Sequence, residues 1–453
     1  MLCFLDLDHL SSYVNFTRIR NFRQQYIGCF LKRRDAMCSL VEAVKQTTHL
    51  NSFVELSLAP SFRHRWPSIY AITDAEIDTK RLNLLCLAQV PERQEVYYAL
   101  DVMNVRRAES ETLKDRMVCH GAKREAFGNG VVLGLPYSIL AFTENASSSW
   151  AMTVNSERVK PEEKAVQVAV KQIEWLFENK NESETSVGLD GGYGNVGFFL
   201  GLKGKEVFAI ARMRNDRVLY RRPRAADGKP GRDPKYGEKF KFNEPESLGE
   251  ADEIIEFEDE KHGKVRIEKW SNLRFRVAKE IVEIEVIRSQ IHLEREESKR
   301  PKARWYGIHN GTKEKTELKR CYLTVKHRWT IEPSNRFRKE RLYAEVPKFR
   351  TAESSDKWLK ISQIIEWEMY LWREQAKDER MPWQAELSEE KLTPGRVLKS
   401  LALNLWKVGE FSPEVLPRGK SKGWEKGRVR SRPMKYKIKL KGKKKPKLVK
   451  QVE

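Results

Sequence analysis

Val187-Gly188-Leu189-Asp190-Gly191-Gly192-Tyr193-Gly194-Asn195 is the stretch on which the reading of the fold turns. An apolar run from Ser186 to Leu189 ends in a carboxylate, and three glycines follow before Val196, Phe198, Phe199 and Leu200 restart an apolar pattern. This pattern predicts a buried strand, a tight turn and a new element, with Asp190 at the strand's carboxyl edge. A strand fixes such a side chain, and glycines let a substrate backbone come close. An isolated Asp-Gly is also an ordinary turn, so Asp190 gains chemical meaning only from other residues brought beside it.

Upstream, Val96-Tyr97-Tyr98-Ala99-Leu100-Asp101-Val102 is rich in aromatic and β-branched residues and predicts a strand from Glu95 to Val105. Its one carboxylate, Asp101, is partly buried on this reading and needs a cation or a metal, because an unpaired buried charge costs several kcal/mol. Further strands are predicted at Val131–Thr143 and Trp150–Val154. Pro161-Glu162-Glu163 then opens an amphipathic helix with Val166, Ala169, Val170, Ile173, Leu176 and Phe177 on one face. After the glycine-rich turn and a short helical piece, Val207–Ala211 supplies a fifth strand. Three strands, a helix, an acid-bearing strand, a helical piece and a strand form the series an RNase H-like α/β core requires.

Downstream, a basic Pro/Gly-rich loop (Arg221 to Gly237) and an acidic, solvated run (Glu250 to Glu260) lead into alternating strands. Val265 and Ile267, then Leu273, Phe275 and Val277, then Ile284 and Val286 face away from their charged neighbours. This is a β-rich insertion that interrupts the core. Pro333 is accommodated only in a helix's first turn, so a helix begins near Glu332. Glu332, Arg336 and Lys339 then project from one face, an arrangement that salt bridging alone also explains. Trp358, Ile361, Ile365, Met369 and Trp372 form a core stripe on a helix over Ser355–Glu374.

The chain has 453 residues and a formal net charge of +22 with acids still plentiful, a balance that suits a polyanionic partner such as nucleic acid. Sixteen Lys/Arg against the single acid Glu425 fall between Arg418 and Lys450, which predicts a disordered arm for phosphate contact. Six cysteines without a Cys-x-x-Cys pair argue for reduced thiols and against a zinc ribbon or disulfide scaffold; the lone Cys119-His120 pair is a poor metal site. Asp6 and Asp8 after Met1-Leu2-Cys3-Phe4 do not fit a signal peptide, and the apolar stretch around Val131 to Phe142 is too broken to span a bilayer. A soluble cytoplasmic, nucleoid-associated protein is expected. Near the N-terminus, Phe16, Ile19, Phe22, Tyr26, Ile27 and Phe30 share a helical face, with Arg18, Arg20, Arg23, Lys32, Arg33 and Arg34 largely on the others, and Thr73-Asp74-Ala75-Glu76 reads as a capping box before a second helix. These helices serve DNA binding or brace the core.

The expected organisation is a helical N-terminal DNA-binding domain (1–92), the first part of the core (93–215), the insertion (216–321), the Glu-bearing helical part of the core (322–385), a helical extension (386–417) and the basic tail (418–453). With the first strand central and the fourth beside it, Asp101 and Asp190 become neighbours, and the helix after the insertion brings Glu332. Three converging carboxylates repel unless cations neutralise them, and oxygen-only ligands suit Mg2+ or Mn2+. Two such ions activate a water or 3′-hydroxyl for in-line attack on a phosphodiester.

The flanks Tyr98-Ala99-Leu100-Asp101-Val102, Gly188-Leu189-Asp190-Gly191-Gly192-Tyr193-Gly194-Asn195 and Arg328-Trp329-Thr330-Ile331-Glu332 resemble the three acid motifs of DDE transposases from bacterial insertion sequences. The third resembles the subgroup with a Tyr, Arg, Glu, Lys signature: Arg328, Glu332 and Lys339 keep its spacing, while Val325 occupies the Tyr position and Tyr322 lies three residues early. The resemblance covers roughly residues 95 to 385. It implies Asp101, Asp190 and Glu332 as ligands of two metal ions and as catalytic residues, with Arg328, Arg336 and Lys339 on DNA phosphates. It implies nicking at the element's ends, then transfer of the 3′-hydroxyls to target DNA by a dimer assembled on double-stranded DNA. Related enzymes use a hairpin intermediate and a Trp of the insertion stacked on a flipped base, for which Trp270 is the candidate by position; a packed hairpin Trp is the other reading. Tyr193 either contacts DNA or packs. A catalytically silent DNA-binding derivative and a hydrolytic nuclease of the same fold are the alternatives.

Overall fold

The structure, a computed structural model, describes residues 7–120, 130–181, 183–223, 234–276, 280–292, 303–312, 315–409, 413–417, 425–429 and 431–439. Cys3, Val277 and the chain after 439 therefore lie outside the described residues. Helix α1 (Leu7–Cys29) runs into strand β1 (Phe30–Lys32) and helix α2 (Arg34–Gln46); α3 (Ala71–Asp74), β2 (Glu76–Ile77) and α4 (Thr79–Leu87) follow. Ile19, Phe22 and Tyr26 are buried as their spacing predicts, but Phe30 has left the helix for β1. Arg23 is not on the outside: it is only 4% exposed and donates to Glu42, because α2 supplies a carboxylate where the helix faces inward. The capping box is also displaced. Asp78, not Thr73, caps α4 by accepting from Arg81 N at 3.0 Å, since Glu76 and Ile77 are taken up in pairing with β1.

The core comprises β3 (Glu95–Arg106), β4 (Met117–His120), β5 (Val131–Thr143), β6 (Ala151–Arg158), α5 (Ala165–Asn179), β7 (Glu184–Leu189), α6 (Val196–Leu202) and β8 (Phe208–Met213). Helix α5 starts four residues after Pro161, which sits in a turn; the Gln167 side chain accepts from Lys164 N at 3.0 Å and closes the first turn instead. The central strands run β6-β5-β3-β7-β8, with β7 and β8 parallel to β3 and β5 antiparallel. That is the order expected of an RNase H-like core with its first strand central.

Strands β9 (Val218–Tyr220), β10 (Lys239–Lys241), β11 (Glu253–Asp259), β12 (Gly263–Phe275), β13 (Val282–His292) and β14 (Arg304–Asn310) form the insertion. It continues the sheet rather than standing apart, because β14 pairs antiparallel with β8 from Trp305↔Met213 to Asn310↔Phe208, and among the described residues the sheet reaches twelve strands. The acidic run is more than a solvated surface. It is β11, whose Glu253 accepts from Lys269 and whose Asp259 accepts from Lys326.

Helices α7 (Leu318–Arg328), α8 (Ile331–Glu340), α9 (Ala352–Trp372), α10 (Pro394–Leu403) and α11 (Leu405–Val408) follow. Helix α9 is buried almost all round, and its polar residues are paired inside: Lys360 Nζ donates to Asn83 at 2.9 Å and Ser156 O at 3.1 Å, Glu366 accepts from Arg338 at 2.5 Å, and Glu368 accepts from Lys45 at 2.5 Å. The core stripe thus also carries charged ties to α2 and α8. Among the described residues five cysteines are free and buried, and no helix is long and apolar enough to cross a membrane.

Candidate active site

Parallel pairing of β3 with β7 sets Leu100 opposite Leu189, so the next residues, Asp101 and Asp190, stand at neighbouring positions at the carboxyl end of β7. Adjacent strands lie ~4.8 Å apart, close enough for the two charges to act on each other. Helix α7 lies on this pair of strands because position 188 has no side chain: a Cβ there would be 2.8 Å from Thr324 O and 3.0 Å from Arg328 Cβ. Arg320 anchors the helix by donating to Ser186 Oγ at 2.8 Å and Thr185 O at 3.0 Å. Gly194 passes so close to β8 that a Cβ would be 2.1 Å from Arg212 O. Gly191 and Gly192 differ, since a Cβ at either would meet nothing within 4 Å.

Arg328 ends α7 and Glu332 opens α8, with Thr330 closing the bend by donating to His327 O at 2.8 Å. Arg328 thereby stands between acids: Nη2 donates to Glu332 Oε1 at 2.5 Å, and Nη1 lies 3.7 Å from Asp190 Oδ1. Its side chain is 13% exposed, whereas those of Asp190 and Glu332 are 46% and 51% exposed and open to an approaching ligand. Asp101 lies deeper. Burial pushes its carboxyl up to about 6; the Val102 N–H, donating to Oδ1 at 2.8 Å, and Arg328 pull it down, while Asp190 and Glu332 raise it further. The three acids therefore share one electrostatic field centred on a guanidinium. Their all-oxygen chemistry fits Mg2+ or Mn2+. As placed, with Arg328 among them, no three His, Cys, Asp or Glu groups of the described residues converge tightly enough to hold an ion together.

Sequence reasoning does not single out Asn335. Its Nδ2 donates to Asp101 Oδ2 at 3.4 Å, and its Oδ1 accepts from Arg338 Nη1 at 2.8 Å. Arg338 in turn is locked to Glu366 and to Ala151 O. The guanidinium fixes which end of the amide faces Asp101, so a chain of bonds from α9 orients the deepest acid. Helical spacing holds the signal, because Asn335 is three residues beyond Glu332 and on its face.

The other predicted residues are scattered around this centre. Arg336 is exposed and bonded to Glu340 at 2.8 Å, and Lys339 lies 3.5 Å from Glu345, so both stand on α8 outside the acid cluster. Tyr193 cannot stack on DNA as placed: it is 3% exposed, edge-on to Phe198, with a buried hydroxyl that makes no hydrogen bond among the described residues. Trp270, 2% exposed, is enclosed by Phe240 and Trp305 with Arg288 over its ring, so its face is not open to a base. Tyr322 is also turned from the acids, towards His262 at 2.9 Å.

A sequence model of the DDE superfamily endonucleases matches residues 25–274, more than half of the chain. The chain belongs to this family. A DDE endonuclease acts on DNA by nuclease-type chemistry and generally uses divalent metal ions, in keeping with the acidic cluster described above. The matched span takes in Asp101 and Asp190 and ends within β12, short of Glu332. Inclusion of Glu332 in the cluster therefore rests on its ion pair with Arg328. No curated protein matches the chain.

Proposed function

We propose that the protein is a transposase of the insertion-sequence type, with Asp101, Asp190 and Glu332 as its catalytic acids. The observation that carries this reading is the meeting of three acids, 231 residues apart from first to last, around Arg328 at the open end of β7. The acids would hold two Mg2+ or Mn2+ ions, which when bound supply an activated hydroxyl and stabilise the leaving oxygen. Asn335 and the Val102 N–H aim the two oxygens of Asp101. Arg328 balances the acids before substrate enters and then binds the scissile phosphate. Arg336 and Lys339, on the exposed side of α8, take phosphates further along the strand. The open space at Gly191 and Gly192 admits the DNA backbone to the strand's end. The substrate is double-stranded DNA, first the element's own ends and then a target, joined by a dimer assembled on DNA, with the N-terminal helices adding contacts.

The test is cleavage and joining of duplexes carrying the DNA that flanks the gene, with Mg2+ or Mn2+, for wild type and Asp190→Asn. Wild type should nick and join; the variant should bind the duplex and do neither. An active Asp190→Asn protein would remove the acid from the mechanism. Nicking without joining would make the protein a hydrolytic nuclease.

A further inference from the structure

Lys435-Tyr436-Lys437-Ile438-Lys439 alternates cationic and apolar residues with the period of a strand, and at Lys439 it makes a single β-bridge to the sheet. β4 is the last strand of the sheet order, paired on one side with β5. On its other side Val118 N donates to Lys439 O at 3.3 Å and Lys439 N donates to Arg116 O at 2.8 Å, a parallel bridge between Met117 and Lys439. Three residues earlier Tyr436 N donates to Glu111 O at 2.9 Å, and Lys435 forms an ion pair with the Glu111 carboxylate. An unpaired edge invites another chain. Here the protein's own C-terminal segment meets that edge at Lys439 and the turn before it at Glu111, a short form of the docking by which extended peptides join sheet edges.

Docking gives the lysines a direction and a place. Side chains alternate along a strand, so Lys435, Lys437 and Lys439 share one face while Tyr436 and Ile438 share the other. Lys435 is held by Glu111; Lys437 and Lys439 have no ion pair among the described residues. β4 pairs with residues 131–134 of β5, and β5 pairs there with the far end of β3, at Arg106. Five residues along β3 from Asp101 and three strand spacings across the sheet put the segment roughly 22 Å from that acid. It lies past the end of the sheet at which Asp190 stands. At ~3.4 Å per base pair, this offset is about six base pairs of duplex.

We propose that residues 435–439 are a phosphate-binding strand: docked on β4, they present a row of lysines to the backbone of duplex DNA at a fixed offset from the acids. The proposal rests on the reading of the protein as a DNA enzyme. It differs from a loose basic arm in requiring the backbone bonds that hold the segment to Glu111 and to β4.

Two full-length variants separate the possibilities. Lys435→Gln/Lys437→Gln/Lys439→Gln removes the charge; Tyr436→Pro keeps every lysine and deletes the N–H that Glu111 O accepts. Duplex affinity measured across a salt series should show the slope of log K against log salt shrinking by roughly 2 to 3 in the triple variant, at ~0.9 for each phosphate that is no longer neutralised. Tyr436→Pro should lose at least half as much, and in both variants backbone protection should vanish about six base pairs from the cut. Hydrogen exchange should find the Val118 and Lys439 amides protected in wild type and released in Tyr436→Pro. A Tyr436→Pro protein that binds DNA as wild type does, or fast exchange at both amides in wild type, overturns the docked strand. If wild type binds no duplex, the reading of function falls with this proposal, whereas an unchanged slope in Tyr436→Pro sinks this proposal alone.

Discussion

Gly188→Ala tests whether the seating of α7 on β7 sets the geometry of the acids. The added Cβ would lie 2.8 Å from Thr324 O and 3.0 Å from Arg328 Cβ, where ordinary van der Waals contacts are 3.4 Å or more. A helix carbonyl cannot rotate aside as a flexible side chain can, so α7 has to retreat by about half an ångström. Forcing one extra carbon into a close-packed contact typically costs about 1–3 kcal/mol. Arg328 sits one turn beyond Thr324, and its hold on Asp190 is already long at 3.7 Å, so the same retreat loosens the centre of the site. Misplacement of reacting groups by ~1 Å costs on the order of a hundredfold in rate, and half of that shift should slow DNA cleavage about tenfold. The urea midpoint and the single-turnover cleavage rate measure the two effects. Gly191→Ala is the internal comparison. Its Cβ meets nothing within 4 Å and its φ is not left-handed, so its stability should be unchanged or slightly raised by a stiffer unfolded chain. Any loss of cleavage in that variant then reports the approach of DNA itself. A Gly188→Ala protein with wild-type midpoint and wild-type cleavage would refute the argument that α7 depends on this close approach.

Two further outcomes follow from the bonds around the site. Asn335→Ala leaves Arg338 Nη1 short of an acceptor inside the protein and should cost about 1–3 kcal/mol in urea unfolding; it should also weaken Mn2+ binding by calorimetry, and unchanged Mn2+ affinity would show that Asp101 does not need the amide. His327 is stacked on Tyr97 at 4.3 Å with Thr143 Oγ1 2.9 Å from Nδ1, and burial pushes its imidazole down to about 4. Below pH 6.5 the unfolded chain takes up a proton that the fold refuses, so this contribution is full above pH 6.5 and lost as pH falls towards 4. Between pH 7 and 5 it should lower stability by about 2 kcal/mol. Urea unfolding over that range should be flatter for His327→Gln; identical slopes would place the proton sensitivity elsewhere.

The pattern in the chain that can be read without coordinates is local. Alternation and β-branched residues mark β3, β5 and β7, and the apolar run ending at Asp190 marks the strand end at which the acid stands. Pro333 marks the start of α8 to within two residues. Helix α7 has no such mark, because Leu318–Arg328 mixes charged and apolar residues without a clean stripe: one face lies on β7, another on the insertion, and Arg320 and Arg328 are inward-facing cations. The same limit explains Arg23, whose charge points outward by periodicity yet is met inside by Glu42.

The succession of strands along the chain, the chain positions of the acids and the excess of positive charge are properties of neighbouring residues and of composition, and they are legible in the amino-acid sequence. The partners of the buried charges are not. Arg328 meets an acid 138 residues earlier, Asn335 meets Asp101 across 234 residues, and Lys439 finds β4 more than 300 residues back. Helical spacing places Asn335 on the face of Glu332, but local spacing does not encode which distant residue any of the three meets. These pairs exist because Gly188 lets α7 come down onto β7, because Arg338 and Glu366 orient the amide facing Asp101, and because the edge of β4 offers unpaired backbone groups to the tail; only the assembled sheet and helices decide each of these.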